Sequence, residues 1–305
     1  MNPVVVIALK SIAYTLAVLF ASPLLEGIMR KVKAIVHSRK GPPITQPYLD
    51  LAKLLVKEDL VSESDVFARY APPAAFAAAL AAAFFAPFGV SGPAQGAGDL
   101  LPFVYLITLS STCVMIGGLA HASPFSHLGS TREMMMVLTV EAVVIISLLT
   151  VGISGHTLLP SGLVGAPLRL SSLLALFAYF FGMQALLGKL PFDIPEAEQE
   201  IMEGPFIEYS GPSLALFKWT FYMKQLIFGS LFFNAFIGWP RLNGMGWVGS
   251  LANFAISSLA VIVVCLLVAL VDATNPRLKI GQSLRFFGWL IVVALIGVGL
   301  AAFGH

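Results

Sequence analysis

Apolar residues in this chain fall in runs of about 20, the length a helix needs to cross the hydrocarbon of a bilayer, and not in short alternating stretches. Such runs extend near Val4 to Leu25, Ala71 to Phe88, Leu100 to His121, Met134 to Ile153, Leu170 to Gly188, Leu214 to Gly238, Leu251 to Val271 and Phe286 to Phe303. The pattern predicts an all-α, polytopic membrane protein of about eight transmembrane helices. Residues 1–305 form one membrane domain on this reading. The second run is the least hydrophobic per residue, because residues 74–88 are alanine-rich and carry Pro87.

Polar residues gather in the connections on one side. Residues 30–69 hold Arg30, Lys31, Lys33, Arg39, Lys40, Lys53, Lys57 and Arg69, and Arg132, Lys189, Arg277 and Lys279 fall on the same side. The opposite connections hold little beyond Arg169 and Arg241. Lys and Arg excess marks the cytoplasmic face, so both termini are expected outside and the chain in the cell's inner (cytoplasmic) membrane. The first run has no basic segment before it, which predicts a retained helix and not a cleaved signal. Within the basic loop, residues 49–57 space Leu51, Leu54 and Leu55 among Asp50, Lys53, Lys57 and Glu58, the pattern of a short amphipathic helix at the interface. The outer connections, residues 88–98 and 154–167, are Gly/Ser/Pro-rich links.

Composition narrows the chemistry further. At 58% hydrophobic and 11% charged residues, with a mean hydropathy of +0.88, the chain is no soluble domain. A net charge of +2 excludes a nucleic-acid binder. Cys113 and Cys265 sit inside apolar runs, and the histidines show no metal-ligand spacing, so neither a disulfide framework nor a metal or redox centre is expected in this chain.

The second charged connection, residues 189–212, is acidic. Asp193, Glu196, Glu198, Glu200, Glu203 and Glu208 place 6 of the 16 acidic residues there, beside a membrane where carboxylates are costly. Pro195 near Asp193 and Glu196 reads as a helix start and Gly204-Pro205 as a stop, which predicts a helix of about three turns. Glu196, Glu200 and Glu203 would then share an arc of about 60°, with Glu198 opposite. Their repulsion near hydrocarbon would raise at least one carboxyl pKa into a proton-exchanging range; the plain alternative is a solvated acidic face.

Glu141 lies inside the fourth run, with Glu133 two turns earlier on a similar face. An acid at that depth points to an ion or proton path, or to a structural pair for which Lys218 and Lys224 are the candidate cations. Asp272 is expected to cap or sit at the interface, and His121 and His127 to be interfacial.

Leu190-Pro191-Phe192-Asp193, Glu196-Ala197-Glu198, Glu203-Gly204 and Glu208-Tyr209-Ser210-Gly211 form one set of motifs. Arg39-Lys40-Gly41-Pro42, Gln46-Pro47, residues 50–54 and Lys57-Glu58-Asp59 form another. Together they resemble, over nearly the whole chain, the membrane subunit shared by respiratory complex I, as its subunit 1, and energy-converting membrane-bound [NiFe] hydrogenases. The resemblance implies a non-redox subunit that joins a cytoplasmic redox arm to a membrane arm. It also implies that Glu141 and the carboxylates Glu196, Glu198, Glu203 and Glu208 belong to a proton route. Asp193, Glu200, Glu133, Lys218 and Lys224 are the further candidates along it, and Arg39, Lys40, Gln46, Asp50 and Lys53 the candidates for docking partners.

The complex I branch carries an Asn-Arg element between two Gly-Pro pairs, absent from the shorter stretch Arg39 to Pro47 here. The short form resembles the hydrogenase branch, including formate hydrogenlyase subunit 4, hydrogenase-4, CO-induced and Ech-type complexes, and no quinone site is assigned. That branch implies hydrogenase large and small iron–sulfur subunits and antiporter-like membrane subunits as partners, with the [NiFe] centre and clusters held by them. The alternatives are a complex I subunit with a quinone pocket and a purely structural anchor.

Overall fold

A computed structural model describes residues 3–60, 66–86, 100–156, 169–237 and 246–304. Among these residues there are no strands, and the helices follow the apolar runs with shifted ends. They are α1 (Pro3–Val36), α2 (Gln46–Val56), α3 (Val66–Ala83), α4 (Leu100–Leu119), α5 (Pro124–Ser154) and α6 (Leu170–Leu186), then a one-turn α7 (Glu198–Ile201), α8 (Gly211–Leu231), α9 (Gly246–Thr274) and α10 (Ile280–Ala302). A 3-10 turn, Gly204–Phe206, follows α7, and α8 ends in a π-helical turn, Phe232–Ile237. Five helices, Val66–Ala83, Leu100–Leu119, Pro124–Ser154, Ala252–Thr274 and Ile280–Ala302, are long and apolar enough to cross a membrane, and Leu170–Leu186 is apolar but shorter. The two outer connections read as Gly/Ser/Pro links lie mostly outside the described residues.

Two helices run well past their apolar segments. α1 continues to Val36, carrying Glu26, Arg30 and Lys33 as an uninterrupted extension, and α5 begins at Pro124, a favoured first-turn residue, instead of Met134. Glu141 therefore lies 17 residues into its helix, far from either end.

The bundle packs as a membrane protein does, through small residues and not through exclusion of water. One face of α3 is an alanine stripe, including Ala71, Ala75, Ala78, Ala79 and Ala82, and it lets α4 approach until Ser110 donates to the Ala75 carbonyl at 3.0 Å. α1 packs on α8 and α9, α5 on α6 and α10, and α3 on α8 as well. The centre is filled by fully buried aromatic and aliphatic side chains such as Tyr179, Phe228, Phe236, Leu148 and Met183.

The amphipathic α2 forms as expected, burying Pro47 and Leu51 and leaving Leu49, Leu55 and Val56 exposed. Its approach to α1 depends on Gly27, where a Cβ would stand 1.9 Å from the Ile44 carbonyl oxygen. The acidic connection differs from expectation. Only residues 198–201 are α-helical, because the chain turns repeatedly through 189–196 around Pro191 and Pro195. Three successive positive φ angles, at Met202 (51°), Glu203 (70°) and Gly204 (52°), then end the helix.

Candidate functional site

Glu26, near the inner end of α1, is the hub of the charged end of the bundle. Its side chain is 7% exposed. It accepts from Arg30 Nε at 3.0 Å, Lys189 Nζ at 3.1 Å and Gln225 Nε2 at 2.7 Å. The guanidinium of Arg30 also donates to Asp50 at 3.0 Å and to the Tyr222 hydroxyl at 3.0 Å, while Gln46 donates to the other Asp50 oxygen at 2.9 Å. A buried carboxylate is sustained only by such full pairing. The network ties α1, α2, α8 and the start of the acidic connection into one unit. Gln46 and Asp50, expected on the docking surface, are turned inward to it, whereas Arg39, Lys40 and Lys53 are exposed.

Beside this hub lies a cavity of about 260 Å³, lined by Glu26, Arg30, Lys189, Glu196, Glu203, Lys218 and Gln225, with Phe206, Phe217, Phe221 and Tyr222 forming its apolar wall. The three carboxylates expected on one helical face are thus separated. Glu196 and Glu203 border the cavity, while Glu200 points away to an ion pair with Arg132 at 2.8 Å. The prolines and the left-handed residues 202–204 break the helix that would have aligned them. Asp193, read as part of a helix start, instead pairs with Arg277 at 2.7 Å. Glu208 does not line the cavity, and the side chain of Glu198 lies outside the described residues.

These positions set the titration of the connection. Burial pushes the Glu196 carboxyl up to about 8, reinforced by Asp193, Glu133 and Glu203 and opposed by Lys189. Arg132 holds Glu200 below the ordinary carboxylate range. Burial acts against the Lys189 charge, but the Glu26 carboxylate beside it leaves the ammonium more basic than usual.

Deeper in the bundle, Glu141 accepts from the Thr108 hydroxyl at 2.9 Å, and its second oxygen is buried with no protein partner. Lys224, 2% exposed, donates to Ser111 at 3.0 Å, lies 5.5 Å from the Phe221 ring centre, and is in electrostatic range of both Glu133 and Glu141. Lys224 is therefore the cation that faces the two acids of α5. Lys218, the other candidate, lines the cavity instead. Glu133 in turn senses Glu196. The result is a series of ionisable groups in electrostatic range of one another, from the cavity into the bundle: Glu203, Glu196, Glu133, Lys224, Glu141.

The connection is pinned from several sides. Asp272, expected as a cap, is 8% exposed, pairs with Lys33 at 2.8 Å and accepts the Leu190 N–H at 2.9 Å. Gln184 donates to the Leu190 carbonyl at 2.7 Å, and Leu278 N–H to the Pro191 carbonyl at 3.0 Å. At the far end Gly204-Pro205 sits in a socket of small residues. A Cβ on Gly129 would stand 2.6 Å from Gly204 Cα, and one on Gly118 would stand 3.0 Å from Pro205 Cβ. His121, expected at the interface, is 2% exposed and edge-on to Tyr209 at 4.7 Å between ring centres, with neither ring nitrogen partnered. His127 is exposed. Among the described residues no group of three or more His, Cys, Asp and Glu side chains is placed to hold a metal ion.

Sequence reasoning missed Glu26, Tyr222 and Gln225. Glu26 carried a usable signal, an acid at the end of an apolar run with Arg30 one turn on. Tyr222 and Gln225 carried none, since each reads as an ordinary polar position of a membrane helix.

This helical bundle, with a charged cavity at one end and an acid–lysine series running inward, defines a membrane subunit of an energy-converting complex. The chain belongs to the NADH dehydrogenase subunit 1 family, matching the NADH dehydrogenase family over residues 9–303. It is 33% identical over 296 residues to hydrogenase-4 component C of Escherichia coli, covering 92% of this chain and 94% of that one. It is 34% identical over 295 residues to formate hydrogenlyase subunit 4 of the same organism, covering 92% and 96%. A subunit of the NADH-quinone oxidoreductase of Syntrophotalea carbinolica is 32% identical over 294 residues, covering 87% and 85%. A chain in the structure of the membrane-bound sulfane sulfur reductase, an archaeal respiratory membrane complex, superposes with a TM-score of 0.87 at 28% identity, covering 97% of this chain and 99% of that one.

Proposed function

We propose that this chain is the membrane anchor and coupling subunit of a hydrogen-evolving membrane-bound [NiFe] hydrogenase complex. Its end-to-end match to component C of hydrogenase-4 and subunit 4 of formate hydrogenlyase supports the hydrogenase branch, as does the short Arg39 to Pro47 stretch. The partners are the hydrogenase large and small subunits, which hold the [NiFe] centre and iron–sulfur clusters, and antiporter-like membrane subunits. α1, α6 and α8 join the five long apolar helices to make eight crossings, with both termini outside and the cavity facing the cytoplasm.

The observation that carries the coupling role is the series Glu203, Glu196, Glu133, Lys224, Glu141. A buried lysine set among partly buried acids can pass charge by small changes in which member holds the proton, and such groups are costly in a membrane unless they serve a path. Asp193 and Glu200, each on an arginine, hold the acidic connection in place. The exposed Arg39, Lys40 and Lys53 face the peripheral arm.

The test is Glu141→Gln in the assembled complex, which keeps size and hydrogen bonding while removing the titratable proton. Proton or sodium uptake by inverted vesicles should fall by at least about tenfold, the lower part of the range for losing a positioned proton-transfer group, while uncoupled hydrogenase activity and subunit stoichiometry stay near wild type. Normal ion uptake would leave only the anchor role. The aromatic wall of the cavity favours one second reading, a quinone pocket of the complex I kind. Hydrogen turnover that depends strictly on added quinone would establish it over the hydrogenase reading.

A further inference from the structure

The seam between α1 and α9 has a form that neither anchoring nor ion movement uses. Both helices run in the same direction from Tyr14 beside Phe254 toward Lys33 beside Asp272, where an ion pair at 2.8 Å closes the inner end. Within the bilayer the seam opens into an apolar groove of about 300 Å³, lined by Tyr14, Val18, Ala21 and Leu25 of α1 with Phe254 and Val261 of α9. Directly below it, on the same pair of helices, a second cavity of about 210 Å³ is lined by Arg30, Lys33, Lys189, Glu26 and Asp272.

The two compartments match the two halves of one amphiphile. From Tyr14 to Leu25 the groove spans about 16 Å at 1.5 Å per helical residue, which is about half of a 30 Å hydrocarbon core and therefore one leaflet. Three cations and two carboxylates line the lower cavity, and Asp50, paired with Arg30 at 3.0 Å from outside it, balances the third cation. Lys33 is the reachable cation, since its side chain is 40% exposed and one of its three donors is engaged by Asp272. The volume of the groove is that of an acyl chain and not of a whole helix, since a helical segment of that length and about 10 Å across occupies on the order of 1,000 Å³.

We propose that the α1–α9 seam is a binding site for one anionic phospholipid, with an acyl chain in the apolar groove and the phosphate beside Lys33 at the inner surface. The lipid completes a face that would otherwise leave a cleft open to the bilayer next to the Glu26 network. Its phosphate accepts from the donors of Lys33 that Asp272 leaves unused, at the end of the seam where that side chain is 40% exposed.

The test uses the purified whole complex in nanodiscs of mixed phosphatidylglycerol and phosphatidylcholine, with retained lipid counted by mass spectrometry after detergent exchange. The wild type should keep one more phosphatidylglycerol per complex than Ala21→Trp, which fills the groove. Leu259→Trp, on the outward face of α9, should keep the wild-type number. Lys33→Gln should lower the preference for phosphatidylglycerol over phosphatidylcholine at that position roughly fivefold or more, the factor for one basic residue at a membrane surface. If Ala21→Trp fails to assemble, Ser258→Trp at the exposed mouth serves in its place and should lose the same lipid. Equal lipid counts in wild type and groove-filled variants would overturn the proposal, as would a retained lipid indifferent to its headgroup. Cross-linking from position 21 into another subunit, and not to lipid, would overturn it in favour of a partner helix.

Discussion

Replacing Glu196 with glutamine gives the sharpest pH signature in this protein. Its carboxyl titrates at about 8 in the folded chain against an ordinary 4.5, chiefly because it is buried. A tenfold change in proton affinity corresponds to about 1.36 kcal/mol, so forcing the charge onto this site costs on the order of 5 kcal/mol. As pH rises from about 4.5, the unfolded chain releases this proton first while the folded protein keeps it to about 8, so stability falls through that window and levels off above it. Glu196→Gln is never charged and lacks this fall. Apparent unfolding midpoints of the assembled complex, measured in steps from about pH 5.5 to about pH 9, should therefore decline more steeply for wild type than for the variant. Their difference should be smallest at the acid end. Parallel curves, or a wild type that gains on the variant as pH rises, would refute the assigned burial of Glu196.

Lys189→Met removes the cation that opposes the Glu196 shift and one of the two cations paired with Glu26, so it should cost about 3 kcal/mol or more, seen as loss of assembled complex. Gly129→Ala should cost about 1–3 kcal/mol by overpacking against Gly204-Pro205, and limited proteolysis should then cut the acidic connection faster. Glu200→Gln breaks only its exposed pair with Arg132 and should leave both assembly and ion uptake near wild type. Reporter fusions after Lys40 and Lys279 should read cytoplasmic and a fusion at the C-terminus should read outside; an exported Lys40 fusion would reject the eight-crossing topology.

Much of the architecture was legible because bilayer thickness imposes one length on every crossing, and that length is written in the apolar runs. Helix ends were less legible. Past the hydrocarbon, α1 continues through helix formers such as Met29, Arg30, Lys31 and Lys33, whereas residues 124–133 of α5 are mostly poor helix formers held by packing against Gly204-Pro205, a tertiary fact with no periodic signature. The acidic connection shows the limit most clearly. A helical reading of Glu196, Glu200 and Glu203 follows from spacing alone, yet the Gly118 and Gly129 socket holds Pro205 where a continuous helix cannot lead. Lys224 was legible as a partner of Glu141 because a lysine inside an apolar helix must face something. Glu26 stood in the same position and was hidden by its place near the end of a run.

The paired and unpaired carboxylates of the connection divide its work. Asp193 on Arg277 and Glu200 on Arg132 are fixed by opposite charges from the α9–α10 connection and from α5, and these pairs hold the chain in place; Arg132 lowers the exposed Glu200 carboxyl, whereas burial raises that of Asp193 in spite of Arg277. Glu196 has no arginine, borders the cavity and senses Glu133 inside the membrane. A proton arriving at Glu196 removes a charge that repels Glu133, and Glu133 in turn biases Lys224. On the proposed route the straps matter, since a connection free to swing would relieve the repulsion by moving instead of by passing the proton inward. Conduction would then depend on anchoring: the strapped seat of residues 189–206 is what would make the charge of one glutamate felt at the next.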